Sequence, residues 1–285
     1  FLIESAPRGR RGLFSSFAYV SSVSANLAAV GISALLANVL SSGDMGSWGW
    51  RIPFAIGAVG AVVGLWVRRH AEETLDVEAS GAATARVGMF DFFREHPKQA
   101  VQLFGLFAGP AVVFYFWTAY LPTYASITVG FDLDKALLVS VVSLTLFLVL
   151  QPVFGMLSDK VGRKPLMFGF GIFFLVATVP LLGSMNASVG SLLFVQTAGL
   201  IFIALWSSIS SAVACELFPA RLRSSGIGFP YALSVGIFGG TAPYLATYLA
   251  NAGHAPAFAW YIVALAAIAL LFYVKLPETA HRPLD

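Results

Sequence analysis

Eight runs of roughly 20 apolar residues recur along this chain, and nothing else in it limits the fold as strongly. They lie at Phe14 to Leu40, Ile52 to Val67, Val101 to Leu121, Ala136 to Leu157, Leu166 to Ser184, Ser191 to Cys215, Gly226 to Ala250 and Ala257 to Val274. At about 1.5 Å per helical residue, such a run matches a hydrocarbon core of about 30 Å. Backbone polar groups in lipid must be satisfied within the segment or in a closed barrel. The runs lack the alternation of barrel strands, so they are predicted to be transmembrane helices. The second is short and glycine-rich, and its ends are the least defined. With 58% hydrophobic and 11% charged residues, against about 25% charged in soluble domains, the chain reads as an all-α integral membrane protein.

The charges then orient the helices. Fifteen of the 17 Lys and Arg fall in alternate connections, and only Arg51 and Lys135 fall in the others. By the positive-inside rule the basic connections are cytoplasmic, which places both ends of the chain inside. The pI near 9.1 therefore reflects topology. A nucleic-acid partner is not expected, because the basic residues are dispersed over several loops instead of forming one stripe. The single cysteine, Cys215, permits no internal disulfide. Residues 1–12, FLIESAPRGRRG, lack a signal-peptide layout and begin with Phe1, so the chain is read as a piece of a longer protein.

An internal repeat gives the organisation. ESAPRGRRG at Glu4 and ELFPARLRSSG at Glu216 share E-x-x-P-x-x-x-R ahead of a long apolar run. WRIPF at Trp50 corresponds to WYIVA at Trp260, and Glu73-Thr74 to Glu278-Thr279, at offsets of 212, 210 and 205 residues in order. Three correspondences in sequence point to a duplicated multi-helix unit. The second copy is complete, with six helices, while the first supplies its last two; a symmetric parent has twelve. The expected domains are 1–67, the last two helices of the first bundle; 68–98, a cytoplasmic linker; 99–276, the second six-helix bundle; and 277–285, a cytoplasmic tail. Within the linker, MFDFFREHPKQ (89–99) is expected to form a short amphipathic surface helix.

With this repeat, the basic linker and GMLSDKVGRKP (155–165) between the fourth and fifth runs, the chain resembles the major facilitator superfamily. That segment fits the family's cytoplasmic signature G-x-L-[SA]-D-[RK]-x-G-R-[RK] at every defined position. GWRIPF, YFWTAYLPTYA, QPVFGMLSDKVGRKP, ELFPARLRSSG and ETAHRPL resemble the metabolite:proton symporter branch, whose members carry proline and betaine, 2-oxoglutarate, citrate or shikimate. The resemblance implies a secondary transporter of the bacterial inner membrane that works by alternating access. A proline- or betaine-like zwitterion with a proton as co-substrate is the preferred reading, and a di- or tricarboxylate or shikimate is the alternative. From another class, a non-transporting membrane sensor or scaffold remains open. A monomer in the bilayer is expected.

Two sets of site residues follow. Gly155, Asp159, Lys160, Gly162, Arg163, Lys164, Glu216 and Arg223 are expected to form a cytoplasmic gate, with Asp159 meeting the start of the first run near Gly12. An acid within so basic a loop is not explained by topology alone, and a carboxylate at a helix N-terminus is stabilising. The uncharged groups expected to line a substrate cavity are Asn26, Tyr115, Trp117, Trp206 and Ser208, which combine apolar area with a polar handle. Trp117 offers a ring face to an onium group. Tyr120 and Tyr124 are expected in the interfacial aromatic belt, and the glycine spacings at Gly57, Gly60, Gly64, Gly105 and Gly109 at helix packing. No carboxylate lies at mid-membrane depth. Nothing in the sequence pairs a nucleophile with a base, forms a phosphate loop or groups the four histidines as a metal site, so no enzyme, metal or cofactor is expected.

Overall fold

Every regular element in the described part of the chain is a helix. The computed structural model describes residues 3, 6–7, 9–70, 97–217 and 223–280, but not the side chains of 67, 68, 70, 99 and 223–226. Most of the expected 68–98 linker, with the start of its surface helix, lies outside the described residues, as does Glu4. The elements are α1 (Arg11–Val39), α2 (Arg51–His70), α3 (Pro97–Tyr115), α4 (Leu121–Val129), α5 (Leu133–Val161), α6 (Lys164–Gly183), α7 (Val189–Glu216), α8 (Arg223–Ser234), α9 (Gly240–Asn251) and α10 (Ala255–Lys275). Two π-helical turns, Phe116–Tyr120 and Val235–Gly239, join α3 to α4 and α8 to α9. A third, Met45–Gly49, precedes α2.

Seven helical stretches among the described residues are long and apolar enough to cross a membrane. The seventh expected run is helical from α8 through α9 but is interrupted by Gly236, Gly239, Pro230 and Pro243, which lower its apolarity. Local chemistry sets the ends. Asp132 accepts from Lys135 N at the start of α5, Ser188 from Ser191 N at the start of α7, and Gly130 and Gly162 end α4 and α5 with positive φ of 67° and 97°. Capping of this kind satisfies donors that the first turn of a helix leaves open.

α5 lies between α1 and α7, while α10 packs on α3 and α6. α5 and α7 run parallel and are joined by three polar rungs. Ser140 and Gln196 exchange hydrogen bonds at 2.9 and 3.1 Å, Gln151 and Ser207 do the same at 2.9 and 3.1 Å, and Ser143 meets Thr197 at 3.1 Å. Gly105 and Gly109 admit Phe272 and the Leu265 backbone of α10. Gly57, Gly60 and Gly64 have no such neighbour among the described residues, since a Cβ at any of them would meet nothing within 4 Å.

The third run extends beyond its expected end. Through the π turn it continues to Val129, and Tyr120 and Tyr124, expected in an interfacial belt, have their hydroxyls turned onto neighbouring helices. Tyr124 is 4% exposed and donates to Ala255 O, and the Tyr120 hydroxyl pairs with Thr247 Oγ1.

Candidate functional site

At one end of the bundle a buried charge cluster joins α1 to α5, α6, α7 and the tail. Asp159 accepts from Gly12 N through Oδ1 (2.7 Å) and from Leu13 N through Oδ2 (2.9 Å), so its carboxylate caps the first turn of α1. Glycine is required at the crossing: a Cβ on Gly12 would lie 2.5 Å from Gly155 O, and one on Gly155 would lie 2.6 Å from Gly12 O. Arg163, 1% exposed, donates from Nη1 to Ser158 Oγ (2.7 Å) and Asp159 Oδ1 (3.0 Å). From Nη2 it reaches Glu216 Oε1 at 3.2 Å. A buried guanidinium is tolerable only when its donors are matched in this way. Glu216 also accepts from Thr279 Oγ1 (2.6 Å) and lies 3.9 Å from Arg11 Nη1.

A second carboxylate caps a second helix. Glu278, in the tail after α10, accepts from Arg163 N (2.9 Å) and Lys164 N (3.0 Å) at the start of α6, and from its tail neighbours Thr279 N and Ala280 N (each 3.0 Å). Burial pushes its carboxyl up, but those four backbone donors outweigh burial and hold it below the ordinary glutamate value. Gly162 permits the approach, since a Cβ there would sit 2.7 Å from Glu278 Oε2.

Further along the same helices lies a cavity of about 300 Å³ between α1, α3, α7 and α8. Six aromatic residues wall it: Tyr19, Phe107, Phe114, Tyr115, Trp206 and Tyr231. Edge-to-face contacts fix the rings, with Phe107 against Tyr231 (4.9 Å) and Trp206 (5.3 Å), and Phe114 against Tyr19 and Tyr115 (each 5.6 Å). Ser22, Ser211 and Cys215 add small polar groups, and among the described residues no Asp, Glu, Lys, Arg or His lines the space. Cys215 directly precedes Glu216, so cavity and charge cluster adjoin along α7.

Of the residues singled out from sequence, Tyr115 and Trp206 line the cavity. Trp117 does not. It is fully buried behind the wall, where Nε1 donates to Val195 O (3.2 Å), the ring packs on Phe116 and Phe174, and only a glycine at 199 leaves it room. In return Gln196 Nε2 donates to Trp117 O at 3.3 Å within the π turn. Ser208 is buried and turned to Leu205 O (3.5 Å), and Asn26 is half-buried on α1, away from the cavity lining. In the charge cluster Gly155, Asp159, Gly162, Arg163, Lys164 and Glu216 come together. Lys160 is exposed, and the side chain of Arg223 lies outside the described residues.

Sequence reasoning missed Arg11, Ser158, Glu278 and Thr279 in the cluster, and Tyr19, Phe107, Phe114 and Tyr231 in the cavity. The Glu278-Thr279 repeat was a visible signal for the first group. The aromatic wall had none, since Phe and Tyr on apolar helices look like core.

A family model described as Major Facilitator Superfamily matches residues 135–285. Among curated proteins, the alpha-ketoglutarate permease of Escherichia coli K12 is 34% identical over 97% of this chain and 64% of its own length. The proline/betaine transporter of Salmonella typhimurium is 27% identical over 100% of the chain and 59% of its own length. The glycine betaine/proline/ectoine/pipecolic acid transporter OusA of Dickeya dadantii is 26% identical over 100% and 59%. The chain spans about three fifths of the length of these relatives.

Proposed function

This chain belongs to the Major Facilitator Superfamily, and from that premise we propose that its protein is a secondary active transporter, carrying a small polar metabolite across the bacterial inner membrane with a proton as co-substrate. The observation that carries the reading is the aromatic cavity of about 300 Å³, which adjoins a buried charge cluster joining helices of two expected bundles. A cavity of that size fits a solute of a few heavy atoms. The cluster acts as a latch on the cytoplasmic side, and alternating access follows from its opening and closing as residues 1–67 rock against 99–276. The protein works as a monomer, with both ends of this chain in the cytoplasm.

The solute is a zwitterion of the proline or betaine kind. Among the described residues no ionised side chain lines the cavity, and in such a lining a net-neutral ligand enters at far lower desolvation cost than a dianion. Ring faces attract an onium group, with a contribution of about 0.5 to 2 kcal/mol. A second reading, a 2-oxoglutarate carrier, is favoured by the higher identity to the alpha-ketoglutarate permease. Uptake of labelled glycine betaine, proline, 2-oxoglutarate and citrate by proteoliposomes of the full-length protein, with and without an imposed pH gradient, separates them. Gradient-driven uptake of betaine or proline is expected. Uptake of 2-oxoglutarate alone refutes the zwitterion, and uptake of no solute refutes transport.

A further inference from the structure

Three of the six aromatic residues around the cavity carry phenol hydroxyls, and they come from three different helices: Tyr19 from α1, Tyr115 from α3 and Tyr231 from α8. Shared ring contacts link the three: Tyr19 and Tyr115 both pack on Phe114, and Tyr231 packs on Phe107, which meets Trp206 as Tyr19 does. Their rings are not free to swing. Tyr19 is held edge-on by Phe114 and Trp206, Tyr231 by Phe107, and Tyr115 lies over Gly239, where a Cβ would come within 2.6 Å of the ring. Gly239 ends the π turn Val235–Gly239, so the irregular backbone of that helix makes the space that fixes Tyr115. Ser22 and Ser211 add two hydroxyls to the same wall.

We propose that Tyr19, Tyr115 and Tyr231 form a carboxylate-binding subsite built from neutral donors alone. A hydroxyl bonded to a carboxylate forms a charge-assisted hydrogen bond, which is roughly twice as strong as a neutral one. Three such donors preorganised by their neighbours replace much of the hydration that a carboxylate loses on entry, without the fixed positive charge that would also hold back its release. The rings packed between the phenols, Trp206, Phe107 and Phe114, then meet the cationic end of the same molecule. The ligand class is a short monocarboxylate whose charge is balanced by its own onium group. Since one phenol comes from α1 and two from the expected second bundle, the subsite is complete only while the two are drawn together around the ligand.

This inference rests on the transporter reading, and the test separates the two. In proteoliposomes of the full-length protein, KM and Vmax are measured for glycine betaine and for 2-oxoglutarate. The wild type is compared with Tyr19→Phe, Tyr115→Phe and Tyr231→Phe, and with Tyr248→Phe, an exposed tyrosine outside the cavity lining, as the control. Each cavity variant is expected to raise the KM of the transported solute about tenfold, the loss of one hydrogen bond to a charged group, with thermal stability unchanged. Inhibition by choline, which keeps the onium and lacks the carboxylate, is expected to be as strong as in wild type or stronger. Tyr248→Phe is expected to match wild type. KM values within twofold of wild type for all three cavity variants, or parallel weakening of betaine and choline, overturn the subsite. Wild-type protein that moves neither solute overturns the transporter reading and the subsite with it, whereas transport of 2-oxoglutarate alone overturns only the zwitterion and leaves the phenols to be judged on that solute.

Discussion

Replacing Asp159 by Asn leaves the shape of the proposed latch and removes its charge, and the structure sets the size of the effect. The carboxylate serves Gly12 N and Arg163 Nη1 through Oδ1 and Leu13 N through Oδ2. In the variant the remaining oxygen can keep Gly12 and Arg163 as a neutral acceptor, but the amide nitrogen then faces Leu13 N, donor against donor. One hydrogen bond to a charged acceptor contributes about 1.5 to 3 kcal/mol, and a partly buried charge at a helix N-terminus up to about 2 kcal/mol. Because the two overlap, about 3 kcal/mol is a fair total, which shifts the closed-to-open ratio on the order of 100-fold. Cys215 reports it without further mutation, since it lines the cavity and adjoins Glu216. In inside-out vesicles, the alkylation rate of Cys215 by a membrane-impermeant maleimide, read by peptide mapping, should rise by tens of fold or more until the open form predominates. The maximal transport rate should change more than the affinity for solute. A labelling rate within twofold of wild type, with transport unaltered, would refute the latch and leave those charges as topology markers.

The remaining predictions concern packing, pH and selectivity. Gly155→Ala forces a Cβ against the backbone of Gly12, where neither partner can give way, and should cost about 1 to 3 kcal/mol, seen as a drop of several degrees in detergent melting temperature. Glu278 has a depressed carboxyl value, so its contribution is full above the ordinary glutamate range and is lost as pH falls through the lowered value. The melting-temperature gap between wild type and Glu278→Gln should therefore be constant near neutrality and close below about pH 4.3. A gap that instead opens on acidification contradicts the assigned sign. Trp117→Leu should lower thermal stability while leaving solute selectivity intact, whereas Trp206→Leu should weaken binding of an onium solute about 2- to 30-fold; competition assays on both variants distinguish wall from core.

How much of this was legible in the sequence depended on the range of the signal. Apolar runs and loop charges are local properties, so the helices could be placed before any packing was known. The third run was cut short at Leu121 because Pro122 and two tyrosines look like an interface, whereas a π turn carries the helix past them to Val129. Asp159 stood out because its charge disagreed with its neighbourhood. Glu278 did not, although it makes four backbone hydrogen bonds, because the two that tie it to α6 reach residues more than a hundred positions away in sequence. Trp117 and Trp206 look alike on paper; only the placement of Gly199 and Val195 turns the first inward, away from the cavity.

The three rungs between α5 and α7 have a mechanical consequence. Two of them join residues 56 apart in sequence and share one register along the two helices, and the third, between them, joins residues 54 apart. Sliding one helix by a single residue, about 1.5 Å, stretches every rung at once, and a longer slide would leave Gln151 without Ser207 and Gln196 with only Trp117 O, at about 1 to 3 kcal/mol for an unsatisfied buried group. Axial shear between α5 and α7 is therefore opposed by all three rungs together, while tilting the pair as a unit leaves them intact. On the transport mechanism proposed above, the stroke that opens the charged end carries α5 and α7 as one keyed unit against the Gly12–Gly155 crossing.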